Sequence, residues 1–114
     1  MSQVKIEEQI GGTILHLNGQ FIGGEETEEL RIALKDVAEK KLNNLVVDLG
    51  KATYLNSTAL GVMISAHANF VKRDGQVILC NLSKSIENIF VITKLTLVFK
   101  ITETLEEAIK LISE

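Results

Sequence analysis

The sequence predicts an α/β fold: a mixed sheet of four or five strands, with an antiparallel N-terminal hairpin and helices mainly on one face. Three observations predict it. Short apolar runs of strand length alternate with longer segments of helical period, which implies parallel strands joined by helical crossovers. The first two strand candidates lie too close together for a crossover and read as a hairpin. The chain has 114 residues, 46% of them apolar, which suits one domain, 1–114, with one core.

Val4 to Glu8 is the first strand, ending near the turn signal Gly11-Gly12. Thr13 to Leu17 is the second, closed by Asn18-Gly19, and a loop from Gln20 to Gly24 follows. Glu25 to Leu42 has helical period, with Leu30, Ala33, Leu34, Val37 and Ala38 on one face. Its first turns hold Glu25, Glu26, Glu28 and Glu29 and its end holds Lys40 and Lys41, as the helix dipole favours. Leu45 to Leu49 is a strand buried on both sides, and Lys51 to Asn56 a loop. Ser57 opens a helix that ends near Arg73-Asp74-Gly75, with Gly75 as the residue after the cap. Its apolar side is expected to hold Leu60, Met63, Ile64, His67, Phe70 and Val71.

Gln76 to Cys80 is another buried strand. Ser83 caps a helix running to about Lys94, with Ile86, Ile89, Phe90 and Thr93 on one face. Val98 to Ile101 is the last strand. Thr104 and Glu107 form a capping-box pattern for a final helix with Ala108, Ile109, Leu111 and Ile112.

Composition excludes several classes of function. Twelve basic against fifteen acidic residues give a net charge of −3, which argues against a nucleic-acid binder. Five aromatics, Phe21, Tyr54, Phe70, Phe90 and Phe99, make a poor base-stacking platform. Cys80 is the only cysteine, so it forms no internal disulfide, and in an apolar strand it reads as an inert core residue. No run approaches the roughly 20 apolar residues of a membrane span. A cytoplasmic protein is the expectation. Two separated histidines and one cysteine show no metal-ligand spacing, no phosphate-loop glycine pattern occurs, and no cofactor is expected.

Chemistry points to Leu55 to Gly61, where a strand and loop hand over to a helix. First-turn amides of a helix lack intrahelical partners and carry partial positive charge. Ser57 or Thr58 can cap them, which is a structural role. Either can instead accept a phosphate, whose charge of about −1.5 to −2 is best tolerated at a helix start. A hydrolase using Ser57 would need a base. His67 lies ten residues along the same helix, about 15 Å by helical rise, and within the apolar stripe, where it reads as a packed histidine.

Val47-Asp48-Leu49 followed by Tyr54-Leu55-Asn56-Ser57-Thr58-Ala59-Leu60-Gly61 resembles the signature of STAS domains, in particular bacterial anti-sigma factor antagonists. Gly75 to Ser83, Phe90 to Leu95, Phe99 to Ala108 and, more weakly, Leu17 to Phe21 resemble later and earlier parts of the same pattern. The resemblance implies a single STAS-like domain and a phospho-switch without enzymatic activity of its own. Its implied partners are an anti-sigma factor that is also a serine kinase, and a cognate phosphatase. No direct nucleic-acid or membrane contact is implied, and a monomer or weak dimer is expected. Ser57 matches the phosphoacceptor, Thr58 the neighbouring hydroxyl residue and Asn56 the preceding acid. The partner face is expected at Asn56 and Thr58 together with Gln20, Phe21, Ile22 and Gly23.

Three positions depart from the family pattern. Asn56 replaces an aspartate, which keeps the hydrogen-bonding shape and removes a charge. Ala59 replaces a glycine, which favours the helix. Gln20 and Ile22 stand where acids are usual. Two alternatives remain: a non-switching STAS subunit of a transport or stress-sensing complex, and a small hydrolase using Ser57.

Overall fold

The computed structural model describes residues 2–40 and 44–113. Five strands and four α-helices follow in the order β1 (Val4–Gln9), β2 (Gly12–Phe21), α1 (Glu25–Glu39), β3 (Asn44–Leu55), α2 (Ser57–Lys72), β4 (Gln76–Cys80), α3 (Lys84–Ile92), β5 (Lys100–Thr102) and α4 (Leu105–Ser113). A single 3₁₀ turn, Leu95–Leu97, lies between α3 and β5. The sheet order is β1-β2-β3-β4-β5. β1 and β2 pair antiparallel, and the remaining pairs are parallel. The hairpin turn is Ile10-Gly11, with Gly11 at φ +90°, and Gly12 already belongs to β2.

Alternation along the strands splits the core in two. Leu15, Leu17, Leu45, Val47, Leu49, Val77 and Leu79 face α1, α2 and α3. Ile14, Val46, Ile78 and Cys80 face α4, which covers them with Ala108 and Ile112. Three helices therefore lie on one face and one on the other. Phe21, Phe70 and Phe90 are the largest fully buried side chains, each worth about 1.5–3 kcal/mol of burial.

Several boundaries differ from the sequence-based expectation. β3 does not stop at Leu49 but runs through the segment expected as a loop, to Leu55. β2 likewise continues past Asn18-Gly19 to Phe21, so the expected loop begins only at Ile22. Two register shifts, at His16/Asn18 and Gly19/Gln20, let the strands stay paired while the period-2 pattern is interrupted. That interruption is what made the segments look irregular. The expected end of α1 at Lys41 and Leu42 lies outside the described residues.

The end of α2 is a Schellman motif, in which Gly75 N–H donates to Phe70 O (2.7 Å) and Asp74 N–H to Val71 O (3.0 Å). The left-handed residue is Asp74 (φ +60°), not Gly75. The buried side of α2 is rotated from the expected stripe: Ala59, Val62 and Ala66 are buried, whereas Ile64 and Val71 are exposed. The reason is that α2 packs on α1 as well as on the sheet. Thr93 is exposed beyond the end of α3, and Phe99, just before β5, is buried against Phe90 (ring centroids 5.9 Å apart).

Candidate functional site

Parallel backbone pairing carries β2 and β3 to a common end, where Gln20 pairs with Tyr54 and Phe21 with Leu55. One further hydrogen bond, Asn56 N–H to Phe21 O at 2.9 Å, locks the start of α2 to the end of β2. Asn56 and the loop after Phe21 are therefore neighbours. A Cβ placed on Gly23 would lie 3.4 Å from Asn56 Nδ2, and Gly23 sits at φ +98°, where a side chain is strained anyway.

Asn56 caps α2. Its backbone is extended, its carbonyl accepts from Leu60 N–H (3.0 Å), and its Oδ1 accepts from Ala59 N–H (3.0 Å). The expectation that Ser57 or Thr58 caps the helix is corrected by this geometry. The cap stands one residue earlier, and both Ser57 and Thr58 are exposed in the first turn. The first turn of α2 contains no acidic residue, in contrast to α1, α3 and α4. The partial positive charge at this helix start is thus not offset by a carboxylate of its own turn.

Opposite stands the loop from Ile22 to Gly24. Ile22 N–H (2.7 Å) and Gly24 N–H (3.1 Å) both donate to Glu26 Oε2, and Gly23 N–H donates to Thr27 Oγ1 (2.9 Å). These bonds, with the Ile22 amide foremost, hold the Glu26 carboxyl below the usual carboxylate range. Glu26 and Thr27 order this loop, and the sequence reading passed over both, treating Glu26 as part of a solvated acidic turn. The local signal was a threonine three positions after Gly24 at a helix start.

Of the expected partner-face residues, Gly23 lies beside Asn56, Thr58 is exposed in the first turn of α2, and Gln20 and Ile22 flank Phe21 at the end of β2. Phe21 does not present its ring there: it is fully buried and forms the floor beneath the loop. Alternation of side chains along β2 sends Phe21 to the helix-covered side of the sheet. Tyr54, 46% exposed, is level with Gln20 at this end of the sheet. It was missed because its segment read as a loop.

Two other groups of polar side chains lie elsewhere. His16 Nδ1 is 2.7 Å from Asp48 Oδ2 and its Nε2 is 2.7 Å from Glu7 Oε1, so both ring nitrogens are engaged. Burial raises the Asp48 carboxyl, but bonds from Asn81 Nδ2, Gly50 N–H and His16 outweigh it and leave the group below its ordinary value. His16 stands five residues before Phe21 along β2, about 17 Å by strand rise from the start of α2. His67 packs edge-on against Phe99 at 5.1 Å. Burial, with a smaller contribution from the Asp48 charge, pushes the Cys80 thiol up to about 12, which makes it a poor nucleophile.

Among the described residues no helix is long and apolar enough to cross a membrane. A family model described as the STAS domain matches residues 2–108. A Bordetella bronchiseptica protein bearing the name anti-sigma factor antagonist BtrV is 23% identical over 101 residues, 89% of this chain and 87% of that protein. The fold is shared with an anti-sigma factor antagonist from Mycobacterium paratuberculosis (TM-score 0.86, 20% identity, 97% of this chain and 93% of that one). It is shared also with the phosphorylated form of the Bacillus cell fate determinant SpoIIAA (TM-score 0.75, 17% identity, 96% of this chain and 98% of that one).

Proposed function

This chain belongs to the STAS domain family, and we propose that within it the chain acts as an anti-sigma factor antagonist switched by phosphorylation at Ser57. In this reading an anti-sigma factor with serine kinase activity docks on the exposed start of α2 and the Gln20–Gly24 loop. It transfers the γ-phosphoryl group of ATP to Ser57 Oγ, the bond from the γ-phosphorus to the bridging oxygen breaks and ADP leaves, and the hydroxyl proton goes to a base on the kinase. The product surface carries a dianion where the kinase docked, and repulsion and desolvation end the complex. A phosphatase restores the hydroxyl by hydrolysis. The chain supplies the acceptor and the surface, and catalyses nothing itself.

One observation carries this reading: Ser57 is exposed in the first turn of α2 while Asn56 performs the capping. The serine is therefore spare. Modifying it breaks no cap, and the helix start accommodates added negative charge. Gly61 supports the same surface. It is exposed on α2, and a Cβ there would meet nothing within 4 Å, so packing inside this chain does not require a glycine. A mid-helix glycine costs about 1 kcal/mol relative to alanine. A close approach by a partner backbone explains keeping it.

A second reading, a STAS subunit that binds within a transport or stress-sensing complex without switching, is favoured by one feature. Asn56 is uncharged where the family pattern has an acid, so a kinase that reads that charge finds it missing. One experiment separates the two. The protein is incubated with ATP and a candidate anti-sigma factor kinase, and the site is placed by mass spectrometry. Phosphate on Ser57, together with loss of kinase binding in Ser57→Asp at unchanged melting temperature, supports the switch. Modification elsewhere moves the site, and no modification favours the non-switching subunit.

A further inference from the structure

The β1 edge of the sheet carries a surface distinct from the start of α2. β1 is an edge strand, paired with β2 on one side only. α1 overhangs this edge, and between them runs a cleft of about 420 Å³ with Val4, Ile6 and Ile32 in its floor. Ile6 is 41% and Ile32 55% exposed, so the floor is apolar and open. Around it stand Glu25, Glu28, Glu29 and Asp36. Glu28 is paired with Arg31, and Glu29 accepts from Ser2 Oγ and Gln3 N–H. Among the described residues Glu25 and Asp36 have no ion-pair partner.

We propose that this groove docks an extended segment of a partner protein, adding beside β1 as a further strand, with aliphatic side chains over Ile6 and Ile32 and lysine or arginine beside the acidic rim. Each part answers one observed feature. The outer edge of β1 offers unpaired backbone donors and acceptors, which an extended chain satisfies and a helix does not. A strand added at the usual spacing of about 4.8 Å lies under the overhang of α1, with alternate side chains turned toward it. Those side chains meet an apolar floor flanked by carboxylates.

Charge also selects the occupant. A second copy of this chain, paired through β1 about a two-fold axis, would bring the same four carboxylates in from each side, and like charges repel. An anionic partner meets the same repulsion. The charged residues Lys5, Glu7 and Glu8 on the edge discourage indiscriminate pairing. The groove is also continuous with the loop beside Ser57. Glu25 and Glu29 border a hollow with Gln3 and Glu26, and Gln3 and Glu26 border the next with Gln20 and Ile22. The inference does not depend on phosphorylation of Ser57.

The test uses the full chain and two short fluorescein-labelled peptides, one alternating lysine and valine, the other glutamate and valine. Binding is read by fluorescence anisotropy at low and high salt, and its place by amide chemical shifts. The lysine peptide is expected to bind, to weaken with salt, and to shift the amides of β1 and α1; the glutamate peptide is expected not to bind. Ile32→Ser, at an exposed position that leaves the melting temperature nearly unchanged, removes apolar floor without adding charge and lowers the affinity roughly tenfold. Glu25→Lys with Asp36→Lys brings the rim from four negative charges to none in sum and abolishes the preference between the peptides, and Ser57→Asp leaves it as it was. Equal binding of both peptides, no binding of either, or shifts confined to another surface overturns the proposal. So does a dimer of the chain that Ile32→Ser dissolves, since the groove then belongs to a second copy.

Discussion

Two serines stand at the start of two helices in this molecule and do opposite things. Ser83 is the cap of α3: its Oγ accepts from Ile86 N–H at 3.3 Å. Ser57 is the first residue inside α2, and its neighbour Asn56 has taken the capping role with a bond of 3.0 Å. The two sites have the same chemistry and the same helix dipole, and differ by one position in the chain. That position decides whether a hydroxyl is committed to capping the backbone or not. α4 shows the committed arrangement in full, with Thr104 and Glu107 exchanging bonds of 3.1 Å each way and a carboxylate already in the first turn.

The comparison can be broken or sharpened by substitution. The largest effect is expected beneath the α2 start. Phe21→Ala removes the buried ring under the loop and should cost about 3–5 kcal/mol in denaturant unfolding. A loss under 1 kcal/mol would mean that the loop is not supported as described. Next is the cap itself: Asn56→Ala should cost about 1 kcal/mol, within a range of 0.5–2. Ser83→Ala belongs to the same class, at the lower end because its bond is longer.

A smaller, local effect is expected from acid. The Glu26 carboxyl is held low in the folded state by the Ile22 and Gly24 amides, so its hold on the loop is complete above its unfolded value. The hold is lost as pH falls through the lowered folded value. Exchange of the Ile22 and Gly24 amides, corrected for intrinsic rates, should therefore speed up only in that acid window, and Glu26→Gln should abolish the step. The smallest effect is the most telling. Ser57→Ala should change stability by less than about 0.5 kcal/mol. If it costs as much as Ser83→Ala, Ser57 is a cap and the contrast fails.

Much of this was legible in the chain. The alternation of apolar runs and helical periods, the Thr104–Glu107 box and the Ser83 cap are local patterns, and local hydrogen bonding decides them. The signature around Ser57 was legible as well, down to the departure at Asn56. The exact cap was not, because asparagine and serine at adjacent positions are equally good caps by residue type. Nor was the length of β3: Gly50, Lys51 and Tyr54 break the strand pattern, and pairing with β2 through two register shifts overrides it.

By itself, then, the sequence determined the fold class and the order of the elements, since spacing and residue chemistry suffice for these. Only the tertiary structure decided that Phe21 is floor and not surface, that Ser57 is spare, that Gln20 and Tyr54 share an end of the sheet, and that α1 overhangs an open edge at β1. Each of these depends on which distant segments share a strand end or a helix face. Burial and free valence are properties of that packing, and no residue carries them alone.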